Sequence, residues 1–215
     1  MIPQDAIFND FIERLRVRLD KNLPGFNAQK SMSPSIREDL MGKNKENDTT
    51  RQSAVLLLLF PSGENINILL IKRTIYNGHH SGQVAFPGGK LEKSDLSVFD
   101  AALRETEEEV GIDSSQIKII GKLTPLYIPI SNMMVSPIVG AINTTPITHP
   151  NDKEVEYIIS VPINHLLDPA NKSVKVISLH DRQITAPYYN VSNEMVWGAT
   201  AMIVSEFLVI VESIQ

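Results

Sequence analysis

Two apolar runs joined by a short polar stretch most strongly restrict what this chain can fold into. SAVLLLLF, from Ser53 to Phe60, reads as a buried strand, and PSGEN after it reads as a turn. NINILLIKR then returns as a second strand, so the pair predicts a β-hairpin. QVAFPGG is expected to be a strand entering a glycine turn. IKIIGKL, MVSPIVGAI, VEYIISVP, KVISL and APYYN are expected as further strands, with PLYIPISN separating the first two of these. Apolar residues at Ile7, Phe8, Phe11, Ile12, Leu15 and Leu19 carry a helical period that ends at Pro24 and Gly25. A short helix is predicted around Asn164 to Leu167, and a terminal one from about Ala199 to Ile210. Strands and helices mix without strict alternation, which predicts an α/β fold with a mixed sheet flanked by helices.

A chain of 215 residues, 42% apolar and 21% charged, can bury a core as one domain with extensions. Residues 1–50 are expected to form an N-terminal helix and a polar, irregular arm packing on a domain of residues 51–215. The net charge of -5 argues against coating a nucleic acid through phosphate contacts, yet allows a phosphorylated small molecule bound with a metal ion. With no cysteine, disulfides, thiolate metal sites and cysteine nucleophiles are excluded. MIPQDAIFNDFIERL has early acids and no uninterrupted apolar core, unlike a signal peptide. The apolar run Phe207 to Val211 is far too short to span a bilayer. The expectation is therefore a cytoplasmic protein with no membrane contact; oligomeric state is left open, a homodimer included.

The chemistry concentrates in RETEEEVGI, Arg104 to Ile112, preceded by FPGGK. A helix is predicted with Ser94 or Asp95 as N-cap and Gly111 at its C-terminal end, burying a stripe of Leu96, Phe99, Leu103, Thr106 and Val110. On it Glu105, Glu108 and Glu109 share an arc of roughly 100°, about 135° from the centre of that stripe, while Glu107 points away. Like charges at these spacings repel. Ala101, one turn before Glu105, is expected to leave space for a ligand, and Arg104 to hold Glu108 in one rotamer. A glutamate-rich helix is ordinarily a solvated face. Here it follows Gly88 and Gly89, which let backbone approach a ligand closely, and clustered carboxylates suit Mg²⁺ or Mn²⁺.

From Gly89 to Ile112 the chain resembles the Nudix box, G-x5-E-x7-R-E-U-x-E-E-x-G-U, with U a bulky aliphatic. Arg104, Glu105, Glu108, Glu109, Gly111 and Ile112 match, and Thr106 replaces an aliphatic. Asp95 stands where the box has its first glutamate, and eight residues rather than seven separate it from Arg104. That variant is similar to the coenzyme A diphosphatase branch, whose upstream motif is L-L-T-x-R-S-x3-R-x3-G-x3-F-P-G-G. LLIKRTIYNGHHSGQVAFPGG matches it at Leu69, Leu70, Arg73, Gly82, Phe86, Pro87, Gly88 and Gly89, and departs at Ile71, Thr74 and Gly78. SAVLLLLF, GKLTPLYIPISNMMVSPIVG, Glu154 with Val155, and VWGATAMI also look like this branch.

The resemblance implies an α/β/α sandwich that hydrolyses a nucleoside diphosphate linked to another group, most specifically coenzyme A, to 3',5'-ADP and 4'-phosphopantetheine. Alternatives are a Nudix diphosphatase for ADP-ribose, NADH or nucleoside triphosphates, and a noncatalytic nucleotide-binding module. It implies Glu105 and Glu109 as principal ligands of Mg²⁺ or Mn²⁺, Glu108 as a further ligand or water activator, the Gly89 carbonyl as another ligand, and Glu154 as a base outside the box, against the alternative of a strand-edge surface acid. Arg73 and Lys72, at the end of a strand beside the glycines, are placed for phosphate oxygens, against the ordinary alternative of solvated strand-end charges. His79 and His80 are candidates for phosphate binding or proton transfer. Trp197 can stack on a base or anchor the last helix; Tyr188 and Tyr189 are similarly ambiguous. Met133 and Met134 read as packing.

Overall fold

A central mixed sheet with helices on both faces is the frame of the computed structural model, which describes residues 4–43, 46–76, 78, 80–179 and 182–215. The helices are α1 (Gln4–Leu19), α2 (Phe26–Gln29), α3 (Arg37–Lys43), α4 (Val98–Val110), α5 (Ile163–Leu167) and α6 (Gly198–Glu212). The predicted hairpin forms as β1 (Arg51–Ser62) and β2 (Asn65–Arg73), paired antiparallel. Then come β3 (Val84–Ala85), β4 (Gly88–Lys90), β5 (Lys118–Lys122), β6 (Leu126–Ile128), β7 (Met133–Ala141) and β8 (Val155–Pro162). The sheet runs β3-β2-β1-β7-β5, with β4 on β1, β6 on β7 and β8 on β2. β1 and β7 are parallel and the other pairs antiparallel, so the sheet is mixed.

The leucine run of β1 is apolar without alternation because both faces are covered. Leu57 and Leu59 face one core with α1 and α6, while Ala54, Leu56, Leu58 and Phe60 face another with α4. β2 follows the same parity: Ile68 and Leu70 lie on the α1/α6 side, Leu69 and Ile71 on the α4 side. A second sheet of β9 (Lys172–Leu179), β10 (Arg182–Val191) and β11 (Glu194–Trp197) adds Tyr189, Val191 and Val196 to the α1/α6 core.

Five local expectations are corrected. The helix cap is Ser97, whose hydroxyl accepts the Asp100 amide, so α4 starts later than Ser94 or Asp95 and Leu96 stands outside it, 95% exposed. Ala101 is fully buried against the sheet and leaves no ligand space. The polar arm is not irregular: it holds α2 and α3, and Glu206 of α6 ties down the first of them. That buried carboxylate accepts the Gly25 amide (3.0 Å), Gln29 Nε2 (2.9 Å) and Thr124 Oγ1 (2.6 Å). Lastly, Gly88 and Gly89 form no turn but pair with Val55 and Ala54 of β1, and PLYIPISN contributes β6.

Candidate active site

The acidic face of α4 is fixed at both ends of the helix. Gly111 closes it in the left-handed conformation (φ 69°), donating its amide to Glu107 O at 2.9 Å. His149 and Asn151 donate their amides to the last carbonyls, Val110 O (2.8 Å) and Glu109 O (2.9 Å), and this loop ends at Glu154. The helix thus recruits a carboxylate 45 positions beyond Glu109, a long-range hydrogen bond that spacing cannot reveal.

Along α4 the three glutamates differ in setting. Glu109 is buried, Glu105 half-buried and Glu108 exposed. Arg104 holds two of them, Nη1 donating to Glu105 Oε1 (3.0 Å) and Glu108 Oε2 (3.2 Å). Its other edge grips Asp95, with Nε at 3.0 Å from Oδ1 and Nη2 at 2.9 Å from Oδ2. Asp95 is therefore the anchor of Arg104 rather than a helix cap, and that guanidinium holds its carboxyl below the usual range. The Glu105 carboxylate lies directly on Gly89: a β-carbon there would overlap its carboxyl carbon and both oxygens.

Glu109 is the junction between helix and sheet. Arg73 Nη1 donates to Oε1 at 2.9 Å and the Gly88 amide to Oε2 at 2.8 Å. Lys72 is not brought to this site. Neighbours on a strand face opposite ways, so Arg73 points toward α4 while Lys72 Nζ pairs with Glu194 of β11 at 2.7 Å.

Electrostatically the carboxylates of the site outnumber the two arginines that hold them. Burial pushes the Glu109 carboxyl up to about 7; Arg73 and the Gly88 amide oppose this, while Glu105 and Glu154 add to it. Burial likewise raises Glu105, against Arg104 and with Glu108 and Glu154 reinforcing it. Four acids therefore sense one another here.

Arg73, His80, Gly88, Gly89, Glu105, Glu109 and Glu154 all line one cleft of about 770 Å³. His80 holds a left-handed backbone (φ 68°), its Nδ1 3.1 Å from Gln83 Oε1. Trp197 lines the cleft too, at the start of α6. Glu108 and Lys72 are not among the lining residues, and His79 lies outside the described residues. Sequence reasoning missed three others that are: Arg37 of α3, Arg51 at the start of β1, and Ser131. A cation in the arm was the only available signal for Arg37.

The donor set fits a hard divalent cation, being carboxylate oxygens with a glycine backbone pressed against one of them. Among the described residues no three acidic or histidine side chains already stand in ligating geometry. Guanidinium groups hold Glu105 and Glu109 instead, so a cation binding there exchanges those contacts for its own.

Residues 50–179 match the NUDIX domain family. The chain belongs to the Nudix family. As a Nudix hydrolase it is similar to the uncharacterized Nudix hydrolase NudL of Photorhabdus laumondii, 34% identical over 74% of this chain and 84% of that protein. The protein of that name in Yersinia pestis is 36% identical over 73% of this chain and 77% of its own length. Among solved structures, a MutT/nudix family protein from Enterococcus faecalis superposes with a TM-score of 0.50 at 20% identity, covering 87% of this chain and 73% of that one; this supports the fold alone.

Proposed function

We propose that this Nudix hydrolase is a diphosphatase dependent on Mg²⁺ or Mn²⁺, cleaving coenzyme A to 3',5'-ADP and 4'-phosphopantetheine. The observation that carries the diphosphatase reading is the meeting of two motifs at one carboxylate. Arg73 and Gly88, from the upstream motif, both bond to Glu109 of the box, in a cleft that also holds Glu105 and Glu154. Coenzyme A is supported by the resemblance of that upstream motif and by Asp95. The extra residue before Arg104 goes with an aspartate that grips this arginine, freeing the first acid of the box from any role as ligand.

Glu105, Glu109 and the Gly89 carbonyl would hold the metal, with Glu108 as a further ligand or water activator. When bound, the cation neutralises the diphosphate, orients it and lowers the pKa of the attacking water. Arg104 sets the rotamers of Glu105 and Glu108 through its grip on Asp95. Arg73 spends donors of its fork on Glu109 and Tyr76, and the remaining ones are available to phosphate oxygens. His80 contributes a polar edge to the same wall. Glu154, hydrogen-bonded only weakly by Asn151 Nδ2 at 3.5 Å, takes the proton from water as general base.

Hydrolysis of coenzyme A, ADP-ribose and NADH, each measured with and without Mg²⁺ or Mn²⁺, tests the reading. Coenzyme A should be preferred and metal required. A stronger rate on ADP-ribose or NADH would sink the coenzyme A assignment.

A further inference from the structure

The cleft has a second, oppositely charged end. We propose that Arg37, Arg51 and Ser131 form an anion subsite that takes a second, non-scissile phosphate of the nucleotide substrate. The inference rests on the diphosphatase reading for the position of the scissile group, and adds what the substrate must carry elsewhere.

The two arginines on the glutamates are paired: Arg73 with Glu109, and Arg104 with Asp95, Glu105 and Glu108. Arg37 and Arg51 line the same cleft, and among the described residues neither has an acidic partner. Each spends one amino group on a carbonyl of the β6–β7 hairpin, Arg37 on Tyr127 O and Arg51 on Ser131 O, both at 2.6 Å. These bonds fix the guanidiniums without neutralising them. Arg37 Nε is buried with no hydrogen-bond partner, and so is the hydroxyl of Ser131, a residue only 7% exposed. Buried polar atoms are ordinarily satisfied, and an orphan donor within the Arg37 guanidinium together with an orphan hydroxyl on Ser131, whose carbonyl Arg51 holds, mark a place made for an anion.

A phosphate monoester suits these groups. Guanidinium forks match its oxygens, its double charge meets both arginines, and its remaining oxygens accept a hydroxyl proton. Spacing lets one ligand reach both stations. Gly89, under the Glu105 carboxylate, pairs with Ala54 of β1, and Arg51 lies three residues back along that strand. At roughly 3.3 Å per residue the two stations are about 10 Å apart along β1. Arg37 falls outside residues 50–179, so the N-terminal arm supplies one of the three groups, and β1 and the β6–β7 hairpin supply Arg51 and Ser131.

Calorimetric titration of the metal-free full-length protein with adenosine 3',5'-bisphosphate and with AMP tests this directly. The wild type should bind the bisphosphate about tenfold or more tightly, the scale of charge-assisted hydrogen bonds to one added phosphate. Arg37→Gln and Arg51→Gln should each lower that ratio toward one with AMP affinity unchanged. Their thermal midpoints show that they remain folded, and should one variant unfold, the other carries the test. Equal binding of the two nucleotides by the wild type, or an unchanged ratio in the folded variants, would overturn the subsite. The outcome is separable from the substrate reading. A protein that shows the ratio and its loss but spares coenzyme A keeps the subsite and loses that substrate. One that cleaves coenzyme A without the ratio loses the subsite alone.

Discussion

Gly88 and Gly89 are adjacent and chemically identical, yet the structure predicts that an added methyl group does different things at each. At Gly89 the three atoms nearest the new β-carbon all belong to the end of the Glu105 side chain, which must retreat by about 1 Å to reach ordinary contact. A flexible carboxylate can do that cheaply, so Gly89→Ala should cost under about 1 kcal/mol of stability. It should nevertheless lower kcat by about 100-fold, the scale of a 1 Å misplacement of a catalytic group. At Gly88 the β-carbon meets backbone: Val55 Cα at 2.6 Å, and the Ala54 carbonyl closer still. The residue also holds φ 151°, a conformation that L side chains avoid. Gly88→Ala should therefore cost about 3 kcal/mol, or roughly 6–12 °C in thermal midpoint for a chain of this size. Differential scanning calorimetry and steady-state kinetics on both variants separate the effects. Wild-type turnover in Gly89→Ala, or a wild-type midpoint in Gly88→Ala, would refute the account of this strand.

The buried Glu109 makes stability depend on pH. With its carboxyl raised from 4.5 to about 7, the metal-free folded state holds a proton there that the unfolded chain has released. Its contribution is full below about pH 4.5 and lost as pH rises through 7, up to about 3 kcal/mol in all. The midpoint in EDTA should fall from pH 5 to pH 8, and added Mn²⁺ should stabilise more at pH 8 than at pH 5; a flat or rising profile counts against this. Arg104→Lys cannot reproduce the two-pronged grip on Asp95, and should lose about 1–2 kcal/mol in thermal melts together with kcat. Glu154→Gln should lower kcat by about 10²–10⁴-fold with the midpoint and KM little changed, as loss of a general base does. A variant as fast as wild type would remove Glu154 from the mechanism.

Much of this was legible because helices and strands impose periods on side chains. The rotation count alone put Glu105, Glu108 and Glu109 on one face, and the structure grades them from buried Glu109 to exposed Glu108. The same arithmetic failed where its starting point was wrong. With Ser97 as cap rather than Asp95, Leu96 left the helix for solvent and Asp95 became free to hold Arg104. Lys72 and Arg73 look equivalent in sequence, but strand parity sends them to opposite faces, and only Arg73 reaches Glu109. The arm was illegible for a different reason. α2 and α3 are too short to hold by their own propensity, and depend on tertiary bonds, α2 on those to Glu206 and α3 on that of Arg37 to Tyr127 O. Arg37 is placed by a bond to Tyr127 O, 90 positions away, which no local pattern encodes.

The central claim is that the acidic face of α4 is a metal platform for cleaving a diphosphate. The most direct test is turnover of coenzyme A by wild type and Glu109→Gln across a titration of Mg²⁺ or Mn²⁺, with circular dichroism of both. Metal-dependent turnover should be abolished in Glu109→Gln while its spectrum stays that of the wild type. Undiminished metal-dependent turnover in the folded variant would contradict the account.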